Sequence, residues 1–215
     1  MTDGFLKILD ERFRLIEIPC DEFASLKVSG MKFKIKAYHA EGLGHVSVMK
    51  ASGFFGLMKM DTVIVVPTAI DLPIYSYDRI YAMGNDTLIT ELYDTMLGEW
   101  DESALCAVKE RFSDIPERDP GEHWYDSIKL CSSISKKGKK ANTPTIDELA
   151  IEHFKAFINA DSEAVSNISK KREKTEYYVN GLLERGGPST DAFKKALGKE
   201  KTEKLFKKVL FGIGK

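Results

Sequence analysis

The sequence predicts an α+β layered sandwich, an antiparallel sheet whose faces are covered by helices. Three observations carry that expectation. From Phe13 to Tyr93 apolar residues recur with period 2 in short runs separated by turn residues, and no segment between them is a helix long enough for a parallel crossover. From about residue 100 the apolar spacing changes to three and four residues, as in helices. The stripes on these later segments need a surface to bury them, and the faces of the sheet supply it. The strand-rich part (12–95) and the helix-rich part (100–213) are expected to form a single domain over residues 1–215.

Taken in order, residues 3–11 form a short amphipathic helix or a loosely ordered lead-in. Phe13 to Ile18 reads as a strand ended by Pro19, and Asp21 to Lys27 as a short helix or a loop. Met31 to Tyr38 alternates apolar and basic residues, so a half-buried strand would hold Lys32, Lys34 and Lys36 in solvent. Glu41 to Gly44 makes a turn, and His45 to Lys50 alternates again. Ser52-Gly53 breaks the pattern before Phe55 to Met60 leads into the strand Thr62 to Val66, which Pro67 ends. Ile74 to Met83 and Thr87 to Tyr93 pair across a hairpin turn at Met83-Gly84-Asn85-Asp86. Glu102 to Phe112 has helical spacing, Ser113 to His123 is loop-like, and Trp124 to Ile134 is a second helix candidate. Ser135 to Asn142 is polar, basic and expected to be mobile. A helix starts near Thr145, which with Glu148 suits a capping box, and runs through Phe157. Residues 161–185 form a further helix ending at Gly186-Gly187-Pro188, followed by short helices over Thr190 to Leu197 and Glu200 to Ile213.

Composition excludes several classes. No run approaches a membrane span, and the first residues hold an early acid and no long apolar region, so no signal peptide is expected. Three widely spaced cysteines, Cys20, Cys106 and Cys131, show neither a disulfide framework nor a metal-binding CxxC pattern. A cytoplasmic protein is the simplest account. The formal charge of -1 hides an asymmetry: Lys136 to Lys215 holds 18 Lys and Arg against 11 Asp and Glu, and the preceding residues 14 against 22. A basic half suits an acidic partner or ligand, or is a set of solvated helix faces. His39, His45, His123 and His153 are scattered, without zinc spacing, and suit structural or surface roles. Gly42 and Gly44 make a turn, and no phosphate loop or nucleophile elbow occurs. The lysine clusters lack interleaved aromatics, so nucleic-acid binding is not expected.

The strand from Ile74 is the stretch richest in chemistry. Its pleat puts Ile74, Ser76, Asp78, Ile80 and Ala82 on one face and Tyr75, Tyr77, Arg79, Tyr81 and Met83 on the other. A carboxylate is thereby set mid-strand among small and apolar neighbours. Burial there would raise its pKa towards a value useful for proton transfer; on a solvated face, or beside a basic side chain, it would be an ordinary acid.

Asp71-Leu72-Pro73-Ile74-Tyr75-Ser76-Tyr77-Asp78 resembles a segment of the ferredoxin-dependent bilin reductases, of the phycocyanobilin:ferredoxin oxidoreductase type, whose relatives include the red chlorophyll catabolite reductases. Phe193 to Gly198, Glu203 and Val209-Leu210-Phe211 are similar to that family's last two helices. The resemblance implies an α/β/α sandwich with a linear tetrapyrrole, such as biliverdin, between sheet and C-terminal helices. It implies reduction by single electrons from ferredoxin, no bound flavin, nicotinamide or metal, and Asp78 as the proton-donating acid. The basic C-terminal half then suits propionate groups and an acidic ferredoxin.

Two departures stand against this. The family's best-known member has a His near Met60-Asp61-Thr62 and a Glu near Ser47-Val48-Met49, and neither is present here. Asp61 is the candidate to substitute as an acid, or else an ordinary turn residue. Ser76, Ile74, Ile80, Ser47 and Met49 are the expected substrate-binding residues. A non-catalytic tetrapyrrole carrier on the same scaffold and a protein-interaction module are the alternatives.

Overall fold

The computed structural model describes residues 1–187 and 189–214; Pro188, expected to help end the helix before it, and Lys215 lie outside the described residues. Among the described residues eight strands form one antiparallel sheet: β1 (Leu15–Ile18), β2 (Ser25–Val28), β3 (Met31–Ala40), β4 (Gly44–Gly53), β5 (Met58–Pro67), β6 (Ile74–Ala82), β7 (Asn85–Tyr93) and β8 (Ile134–Lys139). From β3 to β8 the strands lie side by side in chain order. The outer edge of β3 is shared, β1 pairing with Ala37–Ala40 and β2 with Met31–Lys34.

Helices cover both faces, so the α/β/α sandwich expected from the sequence is present. On one face α1 (Thr2–Asp10), α2 (Ser103–Arg111) and α3 (Thr143–Asn159) place Phe5, Leu9, Leu105, Leu149, Phe154 and Phe157 against Val63, Val65, Tyr75 and Tyr77. On the other, α4 (Ile168–Arg185), α5 (Thr190–Leu197), α6 (Lys199–Lys204) and the π-helical turn Leu205–Leu210 place Tyr178, Leu182, Phe193 and Phe206 against Phe33, Ile35, Met49 and Ile64. No helix among the described residues is long and apolar enough to cross a membrane.

Period 2 decides these faces. In β3, Met31, Phe33, Ile35 and Ala37 are buried and Lys32, Lys34 and Lys36 are exposed, as their alternation requires. β6 and β7 join through Met83 and Gly84, both at positive φ (51° and 74°), the two-residue turn whose twist suits a hairpin. Asp71 ends the loop before β6. One of its oxygens accepts from the Leu97 and Gly98 amides (2.8 and 3.1 Å), and the other is 3.0 Å from the buried Lys171 ammonium of α4.

Ser25–Val28, expected within a short helix or a loop, is strand β2, and three later segments differ from expectation as well. Trp124–Ile134 is not a helix: it holds only a short 3-10 turn at Asp126–Ile128, and its backbone pairs with the end of β7 (Asp94 N to Ile128 O, 2.7 Å; Leu130 N to Leu92 O, 2.9 Å). The spacing of its apolar residues instead serves packing of Trp124 and Tyr125 on Tyr178. Ser135–Asn142 is not a mobile segment, because residues up to Lys139 belong to β8. Its inward residues are Ile134, Lys136 and Gly138, and Lys136 is buried with its ammonium on the Ile115 carbonyl (3.0 Å) and Glu117 (2.6 Å). Finally, α4 begins only at Ile168, where the Asn167 side chain accepts from the Lys170 amide.

Arg79 is fully buried on the α1–α3 face. Its Nη2 donates to Asp86 at 2.7 Å, its Nε donates to the same carboxylate, and Asp147 lies 3.3 Å away. Thr143 Oγ1 donates to Asp86 at 2.6 Å. Removing Asp86 takes away the bidentate partner and leaves the buried Arg79 with the part-exposed Asp147. Asp86→Ala is therefore expected to lower stability by about 3–5 kcal/mol in urea unfolding, and an Arg79→Met/Asp86→Leu double variant to lose less than this.

Candidate functional site

The candidate site lies on the face of the sheet covered by α4, α5 and the π-helical turn. Strand register lays two rows of side chains across it. Met49, Thr62, Asp78 and Ile89 stand opposite one another on β4 to β7, and Ser47, Ile64, Ser76 and Glu91 form the next row. Above them is a narrow cleft of about 70 Å³. Met49, Thr62, Ile64, Ser76, Asp78 and Glu91 form its floor. Tyr178, Phe193, Phe206 and Phe211 supply much of its wall and roof.

The roof is fixed to the sheet at one end. Leu205–Leu210 turns with π geometry, with the Phe211 amide donating to Phe206 O at 2.9 Å. Two carbonyls of its last turn point at β4. His45 Nε2 donates to Val209 O at 2.8 Å, and Ser47 Oγ donates to Leu210 O at 2.9 Å. Gly212, at φ 65°, passes over the His45 ring so closely that a Cβ there would come within 2.5 Å of it. At its other end the roof is α5, which lies between Gly186 (φ 89°) and Gly198 (φ 80°) and meets the sheet through Phe193 and Phe33, whose ring centroids are 5.3 Å apart.

Asp78 is only partly accessible, and among the described residues Thr62 alone hydrogen-bonds to it: Thr62 Oγ1 donates to its Oδ1 at 2.5 Å. Burial raises its pKa from 3.8 to about 6; the Thr62 bond opposes the rise and the negative charge of Glu91 adds to it. Glu91 is held by its surroundings, accepting from Tyr93 Oη at 2.6 Å and lying 3.8 Å from the Lys129 ammonium. Tyr93 in turn stacks on Tyr178 of α4, with centroids 4.1 Å apart. The buried Tyr125 hydroxyl has no hydrogen-bond partner among the described residues, and its ring packs edge-on against Tyr93. The arrangement is a carboxyl whose pKa is raised to about 6, a second carboxylate bound by Tyr93 and facing Lys129, and an aromatic wall.

The expected site residues divide. Asp78, Ser76 and Met49 line the cleft. Ile74 and Ile80 share their face but pack into the core beside it. Ser47 is on the right face, yet its hydroxyl is engaged with the Leu210 carbonyl and is not among the lining groups. Asp61 does not join Asp78. The pleat turns it to the opposite face of the sheet, where its carboxylate lies 3.5 Å from the Met1 amino group, and Thr62 takes the place beside Asp78. Glu91 and Tyr178 were not singled out from sequence. The alternation of Thr87 to Tyr93 already sets Glu91 on the Asp78 face, whereas the position of Tyr178 depends on how α4 docks.

No protein-family model and no curated protein sequence matches this chain. Among solved structures it is similar to phytochromobilin synthase from tomato, determined in complex with biliverdin. The two share 14% identity over 98% of this chain and 82% of that one, with a TM-score of 0.75. At that identity the likeness is one of fold.

Asp78 gives a pH dependence of known sign. Because its folded pKa is about 6 and its ordinary value 3.8, the folded state holds the proton more tightly, and the group costs stability as pH rises through that window. Asp78→Asn is expected to gain on the parent between pH 4 and 7 by up to about 3 kcal/mol, less where the mouth of the cleft admits water. Carboxyl NMR should show the Asp78 midpoint near pH 6, moving down in Glu91→Gln and up in Thr62→Val.

Proposed function

We propose that this protein binds a linear tetrapyrrole of the bilin class between the sheet and the α4–α6 layer, and reduces it with single electrons from a donor of the ferredoxin class. Asp78 supplies the proton. The observation that carries this reading is Asp78 itself, a carboxyl raised to about 6 on the floor of a cleft walled by aromatic and apolar side chains. A fold shared with a protein whose structure holds biliverdin supports it.

The chemistry balances as follows. Conversion of one carbon–carbon double bond to a single bond takes two electrons, delivered one at a time, and two protons. Asp78 gives a proton to the bound ligand, its O–H bond breaking as the new bond to hydrogen forms. The carboxylate left behind keeps the Thr62 hydrogen bond. A proton from solvent enters through the mouth of the cleft and restores the acid, which gives the ligand its second proton with the second electron, and a further solvent proton resets Asp78 for the next turnover. Glu91 is held by Tyr93 and Lys129, and its negative charge beside Asp78 favours the protonated form of Asp78 between turnovers. Ser76 offers a hydroxyl to a polar group of the ligand, and Met49, Phe193, Phe206 and Phe211 offer apolar contact to its rings.

Pockets for ligands of this kind measure roughly 300–1,000 Å³, and the cleft here is smaller. Binding therefore requires α5 to lift from Phe33, turning at the glycines that flank it, while the His45 and Ser47 bonds hold the π-helical turn in place. A second reading is a tetrapyrrole carrier without redox chemistry. It is favoured by Thr62 and Met49, which stand in the row of Asp78 near the positions where the resembled family's His and Glu are expected.

Titration with biliverdin should give a saturable, red-shifted and sharpened visible band. Adding reduced ferredoxin without oxygen should then bleach or shift it. Asp78→Asn should keep the binding band and lose about 10²–10⁴-fold in turnover. Binding without turnover in the parent protein would establish the carrier. A flat titration would remove the bilin ligand and leave Asp78 a structural acid.

A further inference from the structure

A second cluster of reactive side chains lies away from the cleft, beside the α2–α3 layer. Glu102 immediately precedes α2 and Cys106 follows one turn later, four residues on and so on the same side of the helix. Cys131 comes from the segment that leads into β8. The two sulfurs are 3.8 Å apart, and the ligand atoms of all three residues lie within 4.8 Å of one another. We propose that Glu102, Cys106 and Cys131 form a binding site for Zn²⁺, held by two thiolates, one carboxylate and a water.

Three observations support this. First, the spacing suits the ion. Two thiolates on a tetrahedral Zn²⁺, with bonds of about 2.3 Å, stand about 3.8 Å apart, so the sulfurs need not move to bind it. A disulfide would have to close the same gap to about 2 Å. Second, the ligands are held by hydrogen bonds from around them. The Ser132 amide donates to Glu102 Oε2 at 2.8 Å and orients the carboxylate. Lys109 Nζ donates to the Cys131 carbonyl at 2.8 Å, and the buried His153 donates from Nε2 to the Ser132 carbonyl at 3.1 Å. Cys131 is thereby fixed on both sides to elements that pack beneath it. Third, the charge is of the right sign. Two groups that become anionic on binding converge with one that is already so, while the ammonium of Lys109 is engaged with a backbone carbonyl.

The donor set also selects the metal. Two sulfurs and one carboxylate suit a borderline ion such as Zn²⁺ and do not suit Mg²⁺ or Ca²⁺, which take oxygen ligands. Cys131 is exposed and Cys106 partly so, leaving room for a water in the fourth position. Binding releases the two thiol protons to solvent, with no change in oxidation state.

Co²⁺ is the probe, because it takes the same site and is coloured. Added without oxygen to the reduced full-length protein, one equivalent should give a thiolate-to-cobalt charge-transfer band and the visible bands of a tetrahedral ion, both removed by Zn²⁺. Cys106→Ser and Cys131→Ser should each abolish the charge-transfer band, and Cys20→Ser should leave it unchanged. Glu102→Gln should keep the band and weaken binding at least tenfold. Serine is near in size to cysteine and both positions reach the surface, so thermal unfolding of the metal-free variants should match the parent and exclude misfolding. The proposal is overturned if no sulfur-to-cobalt band appears at stoichiometric excess, or if the band survives in both cysteine variants. It is equally overturned if an added low-molecular-weight disulfide links Cys106 to Cys131 while the reduced pair binds neither metal.

Discussion

Strand β6 carries opposite charges on adjacent residues, Asp78 and Arg79, and the pleat of the strand sends them to opposite faces of the sheet. The two polar clusters on either side of β6 follow from this separation. On the α1–α3 face, Arg79 is matched by Asp86 from the neighbouring strand and by Asp147 from α3, so the buried cation is neutralised where it stands. On the other face, Asp78 meets one hydroxyl and no cation among the described residues. Had the two charges shared a face they would have paired, and the carboxyl would have been held ionised. The sheet works as an insulating layer: it lets one strand carry a stable ion pair member and a readily protonated acid side by side.

The roof over Asp78 shows how a chemically sensitive group is enclosed without being paired. Its contacts to the sheet are of two kinds. The π-helical turn is held by hydrogen bonds from His45 and Ser47 to carbonyls that a helix end leaves free, which are directional and localised. The α5 helix rests on aromatic contacts through Phe193, which are apolar and tolerate sliding. The result is a cover with one fixed and one compliant margin, and Asp78 and Glu91 lie beneath it. Tyr93 links the floor to the wall, because its hydroxyl binds Glu91 and its ring stacks on Tyr178.

Much of this was legible in the sequence wherever strand parity decides the outcome. Alternation placed Ser76 and Asp78 on one face and Tyr75, Tyr77 and Arg79 on the other, and the structure keeps that division. Parity also carries Glu91 to the Asp78 side and Asp61 away from it, so Asp61 does not face a ligand that Asp78 reaches. Other features follow from contacts that no local pattern records. Lys136 occupies an inward position of β8, so a strand reads as a polar, basic stretch, and its burial depends on the distant Ile115 carbonyl and Glu117. Trp124 and Tyr125 have helical spacing yet sit in a loop, because their rings pack on α4. Ser47 faces the cleft side but is engaged by a backbone carbonyl from the C-terminal segment, which the spacing of β4 could not reveal. Cys106 and Cys131 are widely separated in sequence and touch only because the approach to β8 crosses the start of α2.

The way β1 and β2 divide the outer edge of β3 bears on solubility. An open sheet has two margins where a strand from another molecule can add and seed aggregation. Here one margin is presented as two four-residue pieces, with the exposed Lys27 on one of them, so neither offers a foreign strand a long run of unpaired backbone. The other margin, β8, carries exposed Lys137 and Lys139, and the 116–118 segment lies along it, with the Arg118 amide donating to Ser135 O and the Lys137 amide to Pro116 O. A sheet rich in valine, isoleucine and tyrosine is thereby closed to self-addition at both ends, and its apolar faces can hold a cleft without inviting fibre growth.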